Sequence, residues 1–476
     1  MELGTVIANS YLGVLGFLAL YGAHRLSHLA RFRWGDRNES GAAFAEADLP
    51  IVTIQLPVFN ERTVIARLIR ATGELDWPPD RIEIQVLDDS TDETTGIAER
   101  EVALLRDRGL DAKVLRREDR KGFKAGALDF GLERARGDLL CVFDADFVPP
   151  KDFLRQLIGR FQNPKIGMVQ ARWEHLNRDE SFLTRAQSTL LDGHFVIEHK
   201  VRSDSGLFFN FNGTAGIWRR QAIADAGGWQ HDTLTEDLDL SYRSQLAGWK
   251  FEYAPLVVAP AEVPPSIAAF KSQQHRWAKG SVQVTRKLTW RILTAKVPFR
   301  VKLEAIAHLT GNAGYPIVLL LSVLLPLSVS EQDRFGGWAH LVMFCLCTLS
   351  VIIFYDSGQR AIGRKLRQRL RDVPAAMSLG IGMCLSQTKA VFEGLLPDTG
   401  AFVRTPKRGD TSGQAGYRIN LRGLPGLELL FAAWFAWALF RAVDLQHWGV
   451  LPFLGLFFAG FAWVGYLSLR GALRPS

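Results

Sequence analysis

Residues 139–147 read LLCVFDADF, an apolar run from Leu139 to Phe143 that stops at Asp144 and Asp146. Such a run suits a strand buried on both faces, as at the centre of an open α/β sheet. Ligands of those sheets collect in the crevice beyond the carboxyl ends of the strands. The spacing therefore predicts that Asp144 and Asp146 stand in that crevice. Side chains alternate along an extended chain, so both carboxylates point the same way. Together they can hold a hard divalent cation whose remaining positions go to substrate phosphate.

Working outward, Ile51–Leu56 reads as a strand ending in Pro57-Val58-Phe59-Asn60-Glu61, and Ile82–Leu87 as a strand ending in Asp88-Asp89-Ser90. A third, Ala112–Arg116, leads to Lys121-Gly122-Phe123-Lys124-Ala125-Gly126, a basic turn opening onto a helix. Strands alternating with helical patterns imply βαβ units and a largely parallel sheet. Asp or Ser after one strand can be an ordinary helix cap. Three polar endings around a lysine-bearing glycine turn favour a nucleotide crevice, where backbone N–H groups approach phosphate and Lys121 or Lys124 adds charge. The chain has neither GxxxxGK[ST] nor GxGxxG, which disfavours a P-loop ATPase or a dinucleotide fold.

Further on, Phe211-Asn212-Gly213-Thr214-Ala215-Gly216 is a compact loop, and Thr235-Glu236-Asp237 opens a helix. Asp237 is either a capping carboxylate or a general base within reach of an acceptor hydroxyl. Gln273-Gln274-His275-Arg276-Trp277, followed by Arg286, Lys287, Trp290 and Arg291, reads as a helix in the membrane interface. His175, His194 and His199 lack zinc-site spacing and read as structural or surface groups.

The chain has 476 residues, a formal charge of +8 and 47% hydrophobic residues, unevenly spread. Leu3–Ala23, Ala305–Ser330, Gly336–Tyr355 and Leu445–Leu469 contain no Asp, Glu, Lys or Arg, and each is long enough to cross about 30 Å of hydrocarbon. Leu3–Ala23 reads as a retained anchor, because its positive charges (Arg25, Arg31, Arg33) follow the apolar run. Those charges place the large block that follows on the cytosolic side of the inner cell membrane. Lys and Arg cluster beside the spans, as at Arg360, Arg364, Lys365, Arg367, Arg369 and Arg371, which suits an anionic leaflet. No nucleic-acid-binding pattern accompanies the basic charge. Cys141, Cys345, Cys347 and Cys384 form no disulfide framework. Val373–Thr388 is short for a span, so 374–396 is expected to be interfacial or re-entrant, followed by spans at 424–443 and 445–469. That gives five spans, with an anchor (1–30), a cytosolic domain (31–280) and a membrane part (281–476).

Taken in order, Asp88-Asp89-Ser90, Lys121 to Gly126, Asp144-Ala145-Asp146, Phe211 to Gly216, Thr235-Glu236-Asp237 and Gln273 to Trp277 resemble the processive, cellulose-synthase type of family 2 glycosyltransferase. The strings IVTIQLPVFNE, WPPDRIEIQVLDDSTDET and KSQQHRWAKG are most similar to the plant mannan and glucomannan synthases. The resemblance implies a GT-A fold of mostly parallel sheet inserted between transmembrane helices. It implies that Pro57, Phe59, Glu61, Asp88 and Asp89 meet the nucleotide and Lys124 the sugar nucleotide. It further implies that Asp144 and Asp146 bind Mg²⁺ or Mn²⁺ with the diphosphate, and that Asp237, with Glu236 beside it, deprotonates the acceptor. Gln273 and Arg276 would hold pyrophosphate, with Asn212, Gly213, Thr214 and Trp277 at the acceptor.

Phe402-Val403-Arg404-Thr405-Pro406-Lys407 resembles the family's gating loop (about 397–417), with Phe402, Thr405 and Lys407 in place and Arg404 where an apolar residue is usual. With few residues after Leu469, no cyclic-dinucleotide module is expected. The function implied is processive synthesis of a β-linked glucan, mannan or glucomannan from UDP-glucose or GDP-mannose. Export through the same bundle goes with it. The alternative is transfer of one sugar to a membrane lipid.

Overall fold

The computed structural model describes residues 3–35, 44–330, 339–397 and 424–473. The strands are β1 (Val52–Val58), β2 (Ile82–Asp88), β3 (Asp111–Arg116), β4 (Leu139–Val142), β5 (Ile166–His175), β6 (Gly216–Arg219) and β7 (Lys250–Ala261). They form one sheet in the order β3-β2-β1-β4-β6-β5-β7. β4 is apolar on both faces: Leu139 and Cys141 pack with Phe143, Phe153 and Ile54, while Leu140 and Val142 pack with Phe209, Phe211 and Trp218. Each such fully buried large side chain contributes about 1.5–3 kcal/mol relative to exposure.

The expectation of a largely parallel sheet holds except at β6, which runs antiparallel to both β4 and β5. Because β6 starts beside the carboxyl end of β4, the loop before it is delivered to the edge where Asp144 emerges. The first strands also carry a buried polar row. Thr53 Oγ1 donates to Glu83 Oε2 across 2.5 Å, Gln55 Nε2 donates to Gln85 Oε1 across 3.2 Å, and Lys113 pairs with Glu83. A fully buried ion or amide persists only when so partnered.

In chain order the helices are α1 (Leu3–Arg31), α2 (Ile65–Thr72), α3 (Thr94–Asp107), α4 (Phe123–Arg134) and α5 (Phe153–Ile158). Between β5 and β6 lie α6 (Phe182–Asp192), a π-helical turn (Gly193–His199) and α7 (Lys200–Asp204). α8 (Arg220–Asp225) and α9 (Glu236–Leu246) precede β7. After it come α10 (Ile267–Thr294), α11 (Phe299–Leu309), α12 (Gly314–Ser328), α13 (Ala339–Ala361), α14 (Leu366–Gly382), α15 (Cys384–Gly394), α16 (Leu424–Asp444) and α17 (Leu451–Leu473).

Among the described residues five helices are long and apolar enough to cross a membrane: Leu3–Arg31, Gly311–Ser328, Val342–Ala361, Leu424–Asp444 and Trp448–Leu473. The protein is a membrane protein with a sheet domain between its first and second spans. The span expected over 305–330 is shorter, because α11 ends at Leu309 and a turn at 311–313 intervenes. α14 and α15 do not qualify as spans and lie against α17 and α10. α10 runs unbroken through position 280, so the boundary expected there between sheet domain and membrane part falls inside one helix. The basic cluster after α13 is partly neutralised within the protein, since Arg369 pairs with Asp356 at 2.6 Å and Arg371 with Asp372 at 2.7 Å. The gating-loop residues Phe402, Thr405 and Lys407 lie outside the described residues.

Candidate active site

One cleft opens at the carboxyl edge of the sheet. It is lined by Pro57, Phe59 and Glu61 after β1, Asp89 after β2, Arg120 and Lys124 around the basic turn, and Asp144 and Asp146 after β4. Asn212 and Gly213 line it from the loop before β6, Glu236 and Asp237 from the first turn of α9, and Gln273, Arg276 and Trp277 from α10. The spacing of those last three, i, i+3 and i+4, puts them on one face of the helix. α10 packs closely at this point: a β-carbon on Gly280 would stand 2.5 Å from Thr235 Cγ2, so any other residue would push the Thr235–Asp237 turn away.

Lys124 Nζ donates to Asp144 Oδ1 across 2.5 Å and to the Gly213 carbonyl across 2.9 Å. Burial opposes the lysine's charge, yet Asp144, Glu236 and Asp237 outweigh it and hold the ammonium above its ordinary pKa. Gly213 has φ +78, and its missing β-carbon would lie 3.0 Å from Asp237 Oδ2 and 3.3 Å from Lys124 Nζ. That left-handed residue lets the loop backbone come between Asp237 and Lys124.

Burial pushes Asp237 up to about 7, with the Glu236 charge adding to the rise and Lys124 opposing it. Burial likewise raises Glu236, again against Lys124. A carboxylate held near neutrality is suited to accept a proton at physiological pH. Across the cleft, Trp173 and Trp277 stand with ring centroids 6.5 Å apart and form an apolar wall, a surface on which a sugar ring can lie.

Two residues expected in the cleft lie behind it. Asp88 is buried at 1% exposure, where it accepts from Ser90 N, Thr95 Oγ1 and Arg116 Nη1 and so shapes the turn after β2. Thr214 is fully buried, and its hydroxyl accepts from Asp144 N across 2.9 Å, orienting the aspartate instead of touching an acceptor. Asp89 lines the cleft, but its carboxylate is gripped by Arg117 at 2.5 and 3.0 Å. Arg120 lies 3.3 Å over the Phe59 ring.

The sequence reading passed over Arg117, Arg120, Trp173 and Gln170. Gln170 accepts from Asn212 N at 3.0 Å and donates to the carbonyls of Thr214 and Ala215, each at 3.0 Å, bracing the loop. Strand periodicity held the signal for Asp88 and Asp89: neighbours at a strand end face opposite ways, so only one of the pair can meet the cleft.

The acidic pair after β4 fits a divalent cation. Asp144 is about a third exposed, Asp146 is buried beside it, and Lys124 already supplies Asp144 with the positive charge such an ion would provide. A sheet with a polar carboxyl edge, an Asp-x-Asp ending, a buried carboxylate pair opening a helix and a flanking cationic helix define a GT-A nucleotide-sugar transferase. The family model Glycosyl transferase family 2 matches residues 53–224, and Glycosyl transferase family group 2 matches residues 139–355. Glucomannan 4-beta-mannosyltransferase 9 of Arabidopsis thaliana is 35% identical over an alignment of 455 positions that covers 87% of this chain and 81% of that one. Glucomannan 4-beta-mannosyltransferase 2 of the same plant is 44% identical over an alignment of 296 positions that covers 59% of this chain and 55% of that one. The mannosyltransferase PcManGT from Pyrobaculum calidifontis, solved with GDP-Man and Mn2+, shares the fold at TM-score 0.54 and 21% identity, over 83% of this chain and all of that one. The chain belongs to glycosyltransferase family 2, in the cellulose-synthase-like group with the glucomannan mannosyltransferases, and is a hexosyltransferase of the polysaccharide-synthase type.

Proposed function

We propose that the protein extends a β-linked mannan or glucomannan processively from GDP-mannose, with inversion at the anomeric carbon. The observation that carries this is the meeting of Asp237, Lys124–Asp144 and the Trp173–Trp277 wall in one cleft. The glucomannan mannosyltransferase relatives support mannose over the glucose of UDP-glucose as the donor sugar.

Pro57, Phe59, Glu61 and Asp89 receive the nucleotide, and Gln273 and Arg276 receive the diphosphate. Asp237, as carboxylate, takes the proton of an acceptor hydroxyl held by Asn212, Gly213 and Trp277. The oxygen attacks the anomeric carbon from the side opposite the diphosphate, so an α-linked donor yields a β linkage. Asp144 and Asp146 would hold Mg²⁺ or Mn²⁺, which would supply neutralisation of the departing diphosphate. The negative charge on the leaving group is also met by Arg276 and Lys124, groups already in place before reaction. The sheet domain faces the cytosol beneath the inner membrane, and the product passes outward through the bundle beside α10.

Purified protein given labelled GDP-mannose or UDP-glucose with Mn²⁺ tests this. The expected product is a long polymer from GDP-mannose, cut by β-mannan-specific hydrolase. A product confined to one sugar on a lipid would replace the polymerase reading with lipid glycosylation.

A further inference from the structure

We propose that His194 is a positioning residue for the acceptor side of the cleft. It fixes the side-chain amide of Asn212, and an ion-pair chain reaching the N-terminal span holds His194 in place. The inference rests on the transferase reading above.

Asn212 lines the cleft, and its backbone is already fixed by Gln170, so the orientation of its amide is what remains to be set. Asn212 Nδ2 lies 3.1 Å from His194 Nε2, and His194 Nδ1 lies 3.1 Å from Glu198 Oε2. A carboxylate can only accept, so Nδ1 carries the hydrogen; with the ring uncharged, Nε2 is an acceptor and Asn212 turns its NH₂ towards it. Glu198 is ionised: burial works against its charge, but Arg202, the hydrogen bond and charge of His194, and His28 together outweigh burial and hold it well below the usual carboxylate range.

The chain of contacts continues. Arg202 Nη1 is 3.3 Å from Glu198 Oε2, and Arg202 Nε donates to Glu304 Oε1 across 3.0 Å. Glu304 Oε2 and Oε1 in turn meet His24 Nε2 at 2.9 Å and His28 Nε2 at 3.1 Å. His24 and His28, one turn apart on α1, share one carboxylate. Their spacing with Glu304 would also suit a metal ion, but the Arg202 guanidinium already brings the positive charge to that carboxylate. Arg202 and Glu304 are 2% and 5% exposed, so neither can swing away without leaving its partner buried and uncompensated. His194, Glu198 and Arg202 follow at i, i+4 and i+8 through the π-helical turn and α7, a local widening of the kind common at functional sites. His194 is not among the residues lining the cleft, so it acts through Asn212.

The test uses full-length purified protein with labelled GDP-mannose, measuring sugar transfer, donor hydrolysis and GDP affinity. His194→Leu should lower transfer at least tenfold with GDP Kd within twofold, and a larger share of donor should go to water. His194→Gln, whose carbonyl can still accept from Asn212, should recover most of the transfer. Glu198→Gln, which frees the ring tautomer, should show the same selective loss as His194→Leu. In an Asn212→Ala background, His194→Leu should cost nothing more, since coupled groups are not additive. Independent, additive losses, or GDP affinity falling in step with transfer in His194→Gln, would overturn the proposal. A wild-type protein that binds GDP yet transfers no sugar would overturn the functional reading itself.

Discussion

Lys124 Nζ and Asp144 Oδ1 sit 2.5 Å apart at the mouth of the cleft, and the same ammonium is a charge that keeps Asp237 from rising further. Lys124→Met removes that opposition, so the Asp237 pKa moves above about 7. A general base works only when ionised, and its ionised fraction grows with pH. The acid limb of kcat/KM must therefore shift to higher pH, on top of a loss of about 10²–10³ for one preorganised donor. A pH–rate profile of the variant checks it; a limb that stays in place would show that Lys124 and Asp237 are not coupled.

Glu236→Gln works in the opposite sense. The Glu236 charge helps push Asp237 up, so its removal lowers the Asp237 pKa and moves the acid limb to lower pH. Asp237→Asn removes the base altogether and should cost about 10²–10⁴ in kcat, the usual range for general-base catalysis, while GDP binding persists. Full turnover in Asp237→Asn would send the search for the base elsewhere in the cleft.

Gly213→Ala tests the close approach between loop, base and cation. A β-carbon there lies 3.0 Å from Asp237 Oδ2 and must adopt φ +78. The left-handed backbone alone costs about 1–2 kcal/mol. Gly109→Ala is the control, because its φ is +84 with nothing within 4 Å of the new carbon. Both variants should lose comparable stability in thermal unfolding, but only Gly213→Ala should drop at least tenfold in transfer. Equal transfer in the two would mean that the loop yields without disturbing the site.

The residues legible in the sequence were those whose chemistry interrupts an apolar pattern, Asp144 and Asp146 after β4 and Lys124 in its glycine turn; Gln273, Arg276 and Trp277 read as a helix in the membrane interface, and only the family resemblance implied their place in the cleft. Hidden were groups whose partners arrive from distant segments. Arg117 follows β3 and reads as one more cation in a basic turn; its grip on Asp89 exists only once β2 and β3 are paired. β6 spans four residues, too few for a period to declare itself, and its antiparallel course decides where Asn212 and Gly213 lie. The π-helical turn continues the pattern of α6, so nothing in the spacing of His194 and His199 marks the change.

Lys271 bears on how the cleft is joined to the bundle. It lies two residues before Gln273 on α10 but is fully buried against Glu428 of α16, with Ser468 of α17 at 2.7 Å. In so dry a place either ion alone is an uncompensated charge, and removal of one partner from a buried pair costs about 3–5 kcal/mol. Lys271→Met and Glu428→Met should each lower the unfolding temperature in detergent, whereas the double variant, with both charges gone and similar bulk retained, should recover most of the loss. Single variants as stable as wild type would show that lipid or water reaches the pair, and that α10 is held against the spans by apolar packing alone.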